Sequence, residues 1–142
     1  MTGKVLTFYL RDALFGIDIT LVKEINRNVE FTSVPGAPEY VAGLFNMRGQ
    51  VVTLFDLGKM IGFGTGEWKQ SSACIILKPF LGDENQVGFL IDAAGDVADI
   101  HEELCEPAPA NVGGVESEYI HCVGKLKGEL IIIIDPKKVF AR

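Results

Sequence analysis

The sequence has little positive charge in any one place, few cysteines and histidines, and no long apolar run. Each shortage removes a class of function. The thirteen Lys and Arg residues are scattered, Lys137-Lys138 is the longest basic run, and the net charge is −6. Phosphate recognition needs clustered cations, so nucleic acid is not an expected partner. Anionic membrane surfaces are disfavoured for the same reason. The strongest apolar run, Leu130 to Ile134, is only strand-length, whereas a membrane helix needs about 20 residues. No direct membrane insertion is expected. Met1-Thr2-Gly3-Lys4 opens directly into a strand-like pattern, without the apolar core of a signal peptide. The three cysteines, at 74, 105 and 122, are odd in number and far apart. They read as no disulfide framework and fit a reducing cytoplasm.

Catalytic and metal motifs are also missing. His101-Glu102-Glu103 contains a His-x-Glu element, but the Pro-Cys-x-x-Cys partner of zinc deaminases is absent. His101 and Cys105, with His121 and Cys122, match no zinc spacing, and a cysteine is more often a small buried hydrophobe. Gly62-Phe63-Gly64-Thr65-Gly66 looks like a phosphate loop but lacks the Gly-Lys-Ser/Thr ending. No nucleophile, base and orienting group converge in the pattern. The expectation is a non-enzymatic chain with no cofactor and no metal. Trp68-Lys69 is the only hint of an aromatic-and-basic strand-binding surface.

What is present is a turn-rich β pattern. A chain of 142 residues with 48% hydrophobic residues can bury a core, and 16 glycines suit many turns. Val5 to Leu10 alternates, with Leu6, Phe8 and Leu10 on one face, as a half-buried strand does. Arg11-Asp12-Ala13 reads as a turn and Phe15 to Ile19 as a strand. Leu21 to Ile25 reads as starting with a helical turn, and Glu30 to Val34 reads as extended. Pro35-Gly36-Ala37-Pro38 forces a bend. Glu39 to Leu44 reads as a short helix with Tyr40, Val41 and Leu44 as its apolar positions. Arg48-Gly49-Gln50 turns into the strand Val51 to Phe55. Further strands are expected at Ala73 to Leu77, Val87 to Ile91, Ile120 to Lys125 and Leu130 to Ile134. Gly82 to Asn85, Pro107 to Glu118 and Lys127-Gly128 mark turns or loops, and Lys137 to Arg142 suits a short helical turn.

An internal repeat runs through this pattern. Gly49-Gln50-Val51-Val52-Thr53-Leu54-Phe55-Asp56 aligns without gaps on Gly128-Glu129-Leu130-Ile131-Ile132-Ile133-Ile134-Asp135, followed in each copy by lysine three residues after the aspartate. Upstream, Gly16, Asp18 and Val22-Lys23-Glu24-Ile25 resemble Gly88, Asp92 and Val97-Ala98-Asp99-Ile100. Chance likeness among strands is the competing account. The preferred one is two related small β-barrels burying a shared apolar face, an arrangement that leaves few free strand edges.

Several of these segments, in this order, resemble the CheW-type chemotaxis coupling proteins. They are Leu6-Thr7-Phe8, Phe15-Gly16-Ile17-Asp18-Ile19, Val22-Lys23-Glu24-Ile25, Val34-Pro35-Gly36-Ala37-Pro38, Gly43-Leu44-Phe45-Asn46-Met47-Arg48-Gly49 and Val51 to Leu57. In the second half Val87-Gly88, Asp92, Asp96-Val97, Pro107-Ala108-Pro109 and Gly124 agree. The resemblance implies a mainly β fold of two five-stranded SH3-like β-barrel subdomains with short helices, in one domain over 5–140. The halves 5–62 and 72–140 would form the repeat, joined by a connector at 63–71. It implies a cytoplasmic, non-catalytic adaptor that couples the cytoplasmic tips of transmembrane chemoreceptors to a CheA-type histidine kinase, recruited to receptor arrays at the inner face of the membrane. Carried over by motif, Val22, Glu24 and Arg48 resemble functionally sensitive positions of the first barrel, and Val97 a receptor-groove position of the second. Met47 replaces the usual leucine, Thr53 stands where proline is frequent, and Pro79 to Asn85 lengthens a hairpin.

Each of these residues has a plainer account. Arg48 could be a rim charge, but the pattern suggests a partly buried pair with Glu24 that holds a helix against the Val22 strand. Val22 and Val97, read as matching repeat positions, could be core or groove. Gly49 and Gly128 suit turns with positive φ. Gly43 and Asn46 belong to the same Gly-x-x-Asn-x-Arg-Gly motif, and Asp56 and Asp135 suit caps of the turns after their strands. The competing functions are the same adaptor role in another pathway, such as surface motility, and a small-ligand-binding β-barrel.

Overall fold

Lys4–Leu10 makes strand β1, buried on both faces from Val5 to Phe8 and not half-buried as its alternating sequence suggests; it turns at Arg11-Asp12 into β2, Ala13–Asp18. A 3-10 turn at Ile19–Leu21, capped by the Asp18 carboxylate, leads into β3, Val22–Glu30. The rest of the first half is β4 (Val41–Met47), β5 (Gln50–Phe55) and the one-turn helix α1 (Leu57–Met60). The second half holds β6 (Ser71–Leu77), β7 (Gln86–Ile91), β8 (Ala93–Asp99), the short pair β9 (Asn111–Val112) and β10 (Val115–Glu116), then β11 (Ile120–Leu126), β12 (Glu129–Ile134) and α2 (Pro136–Val139). The computed structural model describes residues 3–63, 68, 71–79, 86–101, 103, 105–112 and 114–140. Most of the expected connector at 63–71, the hairpin tip at 80–85 and Glu102 lie outside the described residues.

The helix expected over Glu39 to Leu44 is instead the start of β4. Tyr40, Val41 and Leu44 have helical spacing, but the turn that follows decides the matter. Arg48 and Gly49 have φ of 50° and 83°, and Met47 pairs with Gln50. Two left-handed central residues make the hairpin turn whose twist matches flanking strands, so the chain on both sides must be extended. Lys127 and Gly128 repeat this geometry, with φ of 53° and 81°, between β11 and β12.

Ten of the strands form two five-stranded sheets, ordered β11-β12-β2-β1-β8 and β3-β6-β7-β5-β4. Each sheet takes a hairpin from one half of the chain and three strands from the other. The register obeys the repeat: Ile133 lies opposite Gly16 in one parallel pair, and Leu54 opposite Gly88 in the other. The halves are therefore interlocked, and each supplies the hairpin that completes the other's sheet.

Three apolar clusters follow. The largest lies between the sheets and includes Leu6, Phe8, Phe15 and Ile17 from one, Ile75, Leu77, Phe89 and Ile91 from the other, and Leu57 and Val139 from the helices. The far face of the second sheet buries Val29, Phe31, Phe45, Val52, Leu54, Cys74 and Ile76. The far face of the first buries Val5, Leu14, Ile100, Cys122, Ile131 and Ile133. Both faces of the central strands are thus covered, which explains continuous apolar runs such as Leu130 to Ile134.

In each sheet a matching bridge links the segment that follows one end strand to the other end strand. Thr32 exchanges two backbone hydrogen bonds with Leu44, 2.8 and 2.9 Å, and Glu106 exchanges two with Val123, both 2.8 Å. Beside the second bridge, Cys105 and Cys122 form a disulfide, with Cα atoms 5.6 Å apart. This corrects the expectation of no disulfide. The separation in sequence was misleading, because the return of the chain along β11 brings the two cysteines together. Cys74 alone is free, and it is buried.

Candidate protein-docking site

Glu24 and Arg48 meet at one end of the second sheet. Glu24 lies opposite Ile76, which belongs to the far-face cluster, so its carboxylate stands at the mouth of that cluster. Arg48 reaches it from the β4–β5 turn, with Nη2 donating to Oε1 at 2.9 Å. The Arg48 side chain is 69% exposed and that of Glu24 32%. The pair therefore joins a strand to a turn, not to a helix, and most of the guanidinium remains open to a partner.

The turn is built to aim Arg48. Asn46 Oδ1 accepts from the Gly49 N–H at 2.9 Å, which ties the strand end to the turn's second residue. Gly43 permits the bridge beside it: a Cβ there would fall 2.5 Å from the Thr32 carbonyl oxygen and 2.8 Å from the Phe31 ring. At the end of β5, the buried Asp56 caps α1. Its Oδ1 accepts from the Lys59 N–H at 3.1 Å, and its Oδ2 accepts from Trp68 Nε1 at 3.0 Å. Asp135 caps α2 in the same way through the Lys137 N–H. Gly128 serves the equivalent hairpin turn.

Val22 points the other way from Glu24. It lies opposite Leu77 and packs against the cluster between the sheets. A bulge between Val22 and Glu24 lets Val22 and Ile25, three residues apart, share that face. β8 carries the same irregularity against β1: Ala94 lies opposite Phe8, and Val97 opposite Leu6. Following the register through both sheets, Val22 corresponds to Ala94, and Val97 to Ile25. The matching of Val22 with Val97 in the sequence repeat is therefore shifted by three residues, because the like spelling of the two Val-x-x-Ile segments outweighed the ungapped count from Gly16 and Gly88.

Val97 is 53% exposed although its backbone partner, Leu6, is in the core. It stands on β8, a terminal strand of its sheet, while Val22, Glu24 and Arg48 all belong to the other sheet. Two further exposed apolar residues escaped notice in the sequence. Val51 is 58% and Leu130 47% exposed. They occupy the same repeat position, each at the start of its strand on the face between the sheets, beyond the reach of the core. Their alignment in the repeat was the available signal. Trp68, read as part of a connector, instead packs half-buried over Asp56 and both neighbouring clusters.

Chemically the site offers apolar side chains, a charge pair and strand edges. Among the described residues, no group of three or more His, Cys, Asp or Glu is placed to hold a metal ion. No helix of the described chain is long and apolar enough to cross a membrane.

Comparison with known proteins points one way. The model of the CheW-like domain family matches residues 4–142. The chain is 31% identical to the chemotaxis protein CheW of Treponema pallidum, over 97% of this chain and 82% of that one. It is also 31% identical to CheW of Bacillus subtilis, over 96% and 85%. The crystal structure of the scaffolding protein TtCheW from Thermoanaerobacter tengcongensis superposes with a TM-score of 0.83 at 32% identity, covering 99% of this chain and 88% of that one.

Proposed function

The chain belongs to the CheW-like family, and from that membership we infer that it is a non-catalytic adaptor that joins chemoreceptors to a CheA-type histidine kinase. The observation that carries this reading is Val97, an apolar side chain more than half exposed on a terminal strand. Such a residue offers an apolar seat for a partner helix, the kind of anchor that dominates helix-in-groove recognition. The Glu24–Arg48 pair, Val22 and the Val51 end of β5 supply the contacts of the other sheet. Gly43, Asn46, Gly49 and Asp56 hold those contacts in place without touching the partner, and Gly128 shapes the equivalent turn of the first sheet. The whole of 5–140 acts as one unit, since each half completes the other's sheet. In this role the protein works on the cytoplasmic side, at the receptor array.

Co-sedimentation with receptor-containing membranes and kinase tests the reading. Val97→Glu should abolish receptor-dependent sedimentation while leaving the circular dichroism spectrum unchanged. Wild-type sedimentation of the folded variant would refute the role of Val97. Failure of the unmodified chain to sediment with receptor and kinase together would refute the adaptor function itself.

A further inference from the structure

We propose that the Cys105–Cys122 disulfide is a reducible latch that holds Cys105 and Glu106 on the edge of β11. The argument starts from the repeat. The Thr32–Leu44 and Glu106–Val123 bridges are equivalent, since Leu44 and Val123 occupy the same place in the aligned halves. The residues just before each bridge therefore correspond as well: Phe31 pairs with Cys105 and Gly43 with Cys122. In the second sheet, the Phe31 ring lies against Gly43, leaving no room there for a Cβ, and is 8% exposed. Packing alone closes that end of the sheet.

In the first sheet, the same place is filled by a covalent bond. Cys122 is 5% exposed within the far-face cluster, and Cys105 packs against that cluster from the rim, half-buried. A large ring plugs one sheet; two small sulfur-bearing side chains, joined, plug the other. Two separate thiols pack as two small hydrophobes that can part from each other, whereas a phenylalanine ring is a single rigid plug. Without the bond, the ties described at this edge are the packing of Cys105 against the far-face cluster and the two backbone hydrogen bonds between Glu106 and Val123. β11 is the terminal strand of its sheet, so releasing Glu106 bares its backbone donors and acceptors. The same release opens the shallow concavity lined by Glu106, Val123, Gly124, Lys125 and Leu130, which includes the exposed Leu130.

The chemistry is thiol–disulfide exchange with a dithiol reductant. One thiolate of the reductant attacks the more accessible Cys105 Sγ, forming a mixed disulfide and expelling Cys122 as a thiolate, which takes up a proton. The reductant's second thiolate then displaces Cys105, which is protonated in turn. Two electrons and two protons pass to the protein, and the reductant leaves as its own disulfide. Oxidation by a disulfide-form oxidoreductase reverses the exchange.

Native-state hydrogen exchange, read at single amides before and after treatment with dithiothreitol, tests the latch. Reduction should release two thiols per chain, titrated after denaturation. It should also speed exchange at the Glu106 and Val123 amides by at least about tenfold. The Thr32 and Leu44 amides, whose bridge lies away from the disulfide, should not change. Cys105→Ser and Cys122→Ala should each show the fast exchange without reductant and lose the response to it. Three free thiols in protein isolated without reductant would overturn the proposal. So would unchanged protection at Glu106 and Val123 after the bond is opened, or protection in Cys105→Ser equal to that of the oxidised chain.

Discussion

Arg48 reaches back from a two-residue turn to Glu24 on β3 and places its guanidinium 2.9 Å from the carboxylate. The two residues are far apart in sequence, and the left-handed backbone at Arg48 makes the approach possible. The pair is a surface pair by exposure. Exposed ion pairs contribute little because water and salt screen them, and long side chains lose entropy on being held.

Arg48→Ala should therefore lower stability by no more than about 1 kcal/mol. Partner binding should fall much more, since the open face of the guanidinium is lost with it. Denaturant unfolding beside a binding titration separates the two effects. A loss of several kcal/mol with proportionate loss of binding would show that Arg48 serves the fold. The partly buried pair expected from the sequence is present, but only its Glu24 side is partly buried, and a loss of that size would require both partners to be buried.

Most strands were legible in the sequence because their periodicity and turn residues agree. Leu6, Phe8 and Leu10 alternate toward the core, and Lys127-Gly128 marks a hairpin by chemistry alone. The two-unit architecture was legible from the repeat. The pairing of strands across the halves was not, because nothing in a strand's own composition names its neighbour. At the site, the motif residues around Arg48 were visible, but the bulges in β3 and β8 were not. A bulge changes which residues share a face without changing the spelling of the strand, and the likeness of Val22-Lys23-Glu24-Ile25 to Val97-Ala98-Asp99-Ile100 pairs Val97 with Val22, where the ungapped count from Gly16 and Gly88 and the register both match it to Ile25. The disulfide was hidden for a related reason: its halves approach only after β11 has docked.

Gly43→Ala should be among the most destabilising single-methyl changes in the chain. The new Cβ would overlap the Thr32 carbonyl, which is backbone and held by the bridge to Leu44. The strand must shift or the bridge must break. Overpacking of this kind costs about 1–3 kcal/mol and sometimes more. Gly124→Ala provides the contrast, since a Cβ there would make only ordinary contact, 3.7 Å from Ile131. Chemical denaturation of the two variants should rank Gly43→Ala well below Gly124→Ala, and equal stabilities would contradict the account of the bridge.

Cys74 should resist modification in the folded protein. Burial pushes its thiol pKa up to about 12 from 9.0; the nearby Glu24 charge acts in the same direction, and a backbone hydrogen bond at Asn26 opposes both. The nucleophile is the thiolate, so alkylation at neutral pH should be negligible until the chain unfolds. The raised value also carries a stability effect. Above pH 9 the unfolded chain loses this proton while the folded one keeps it, so stability contributed by Cys74 is complete below that pH and declines as pH rises toward 12. The slope is at most about 1.4 kcal/mol per pH unit. Cys74→Ala should flatten the decline relative to the parent chain between pH 9 and 11. Parallel pH profiles for the two would remove Cys74 as its source.

Trp68 gives the last of these expectations a built-in reporter, because it is the sole tryptophan. Asp56 holds two donors at once, the Lys59 N–H at the start of α1 and the Trp68 indole N–H. Asp56→Ala removes both acceptors from a buried position. Losing a cap costs about 1 kcal/mol, and leaving a buried donor unpaired costs about 1–3 kcal/mol. The variant should lose about 2–4 kcal/mol in all, and its tryptophan emission should shift to the red as the indole loosens. Asp56→Asn keeps one carbonyl oxygen for the helix cap but sets an amide N–H against the indole N–H. It should retain more stability than Asp56→Ala while showing a comparable spectral shift. Emission unchanged in both variants would mean that packing against the two clusters, and not the hydrogen bond to Asp56, fixes the ring.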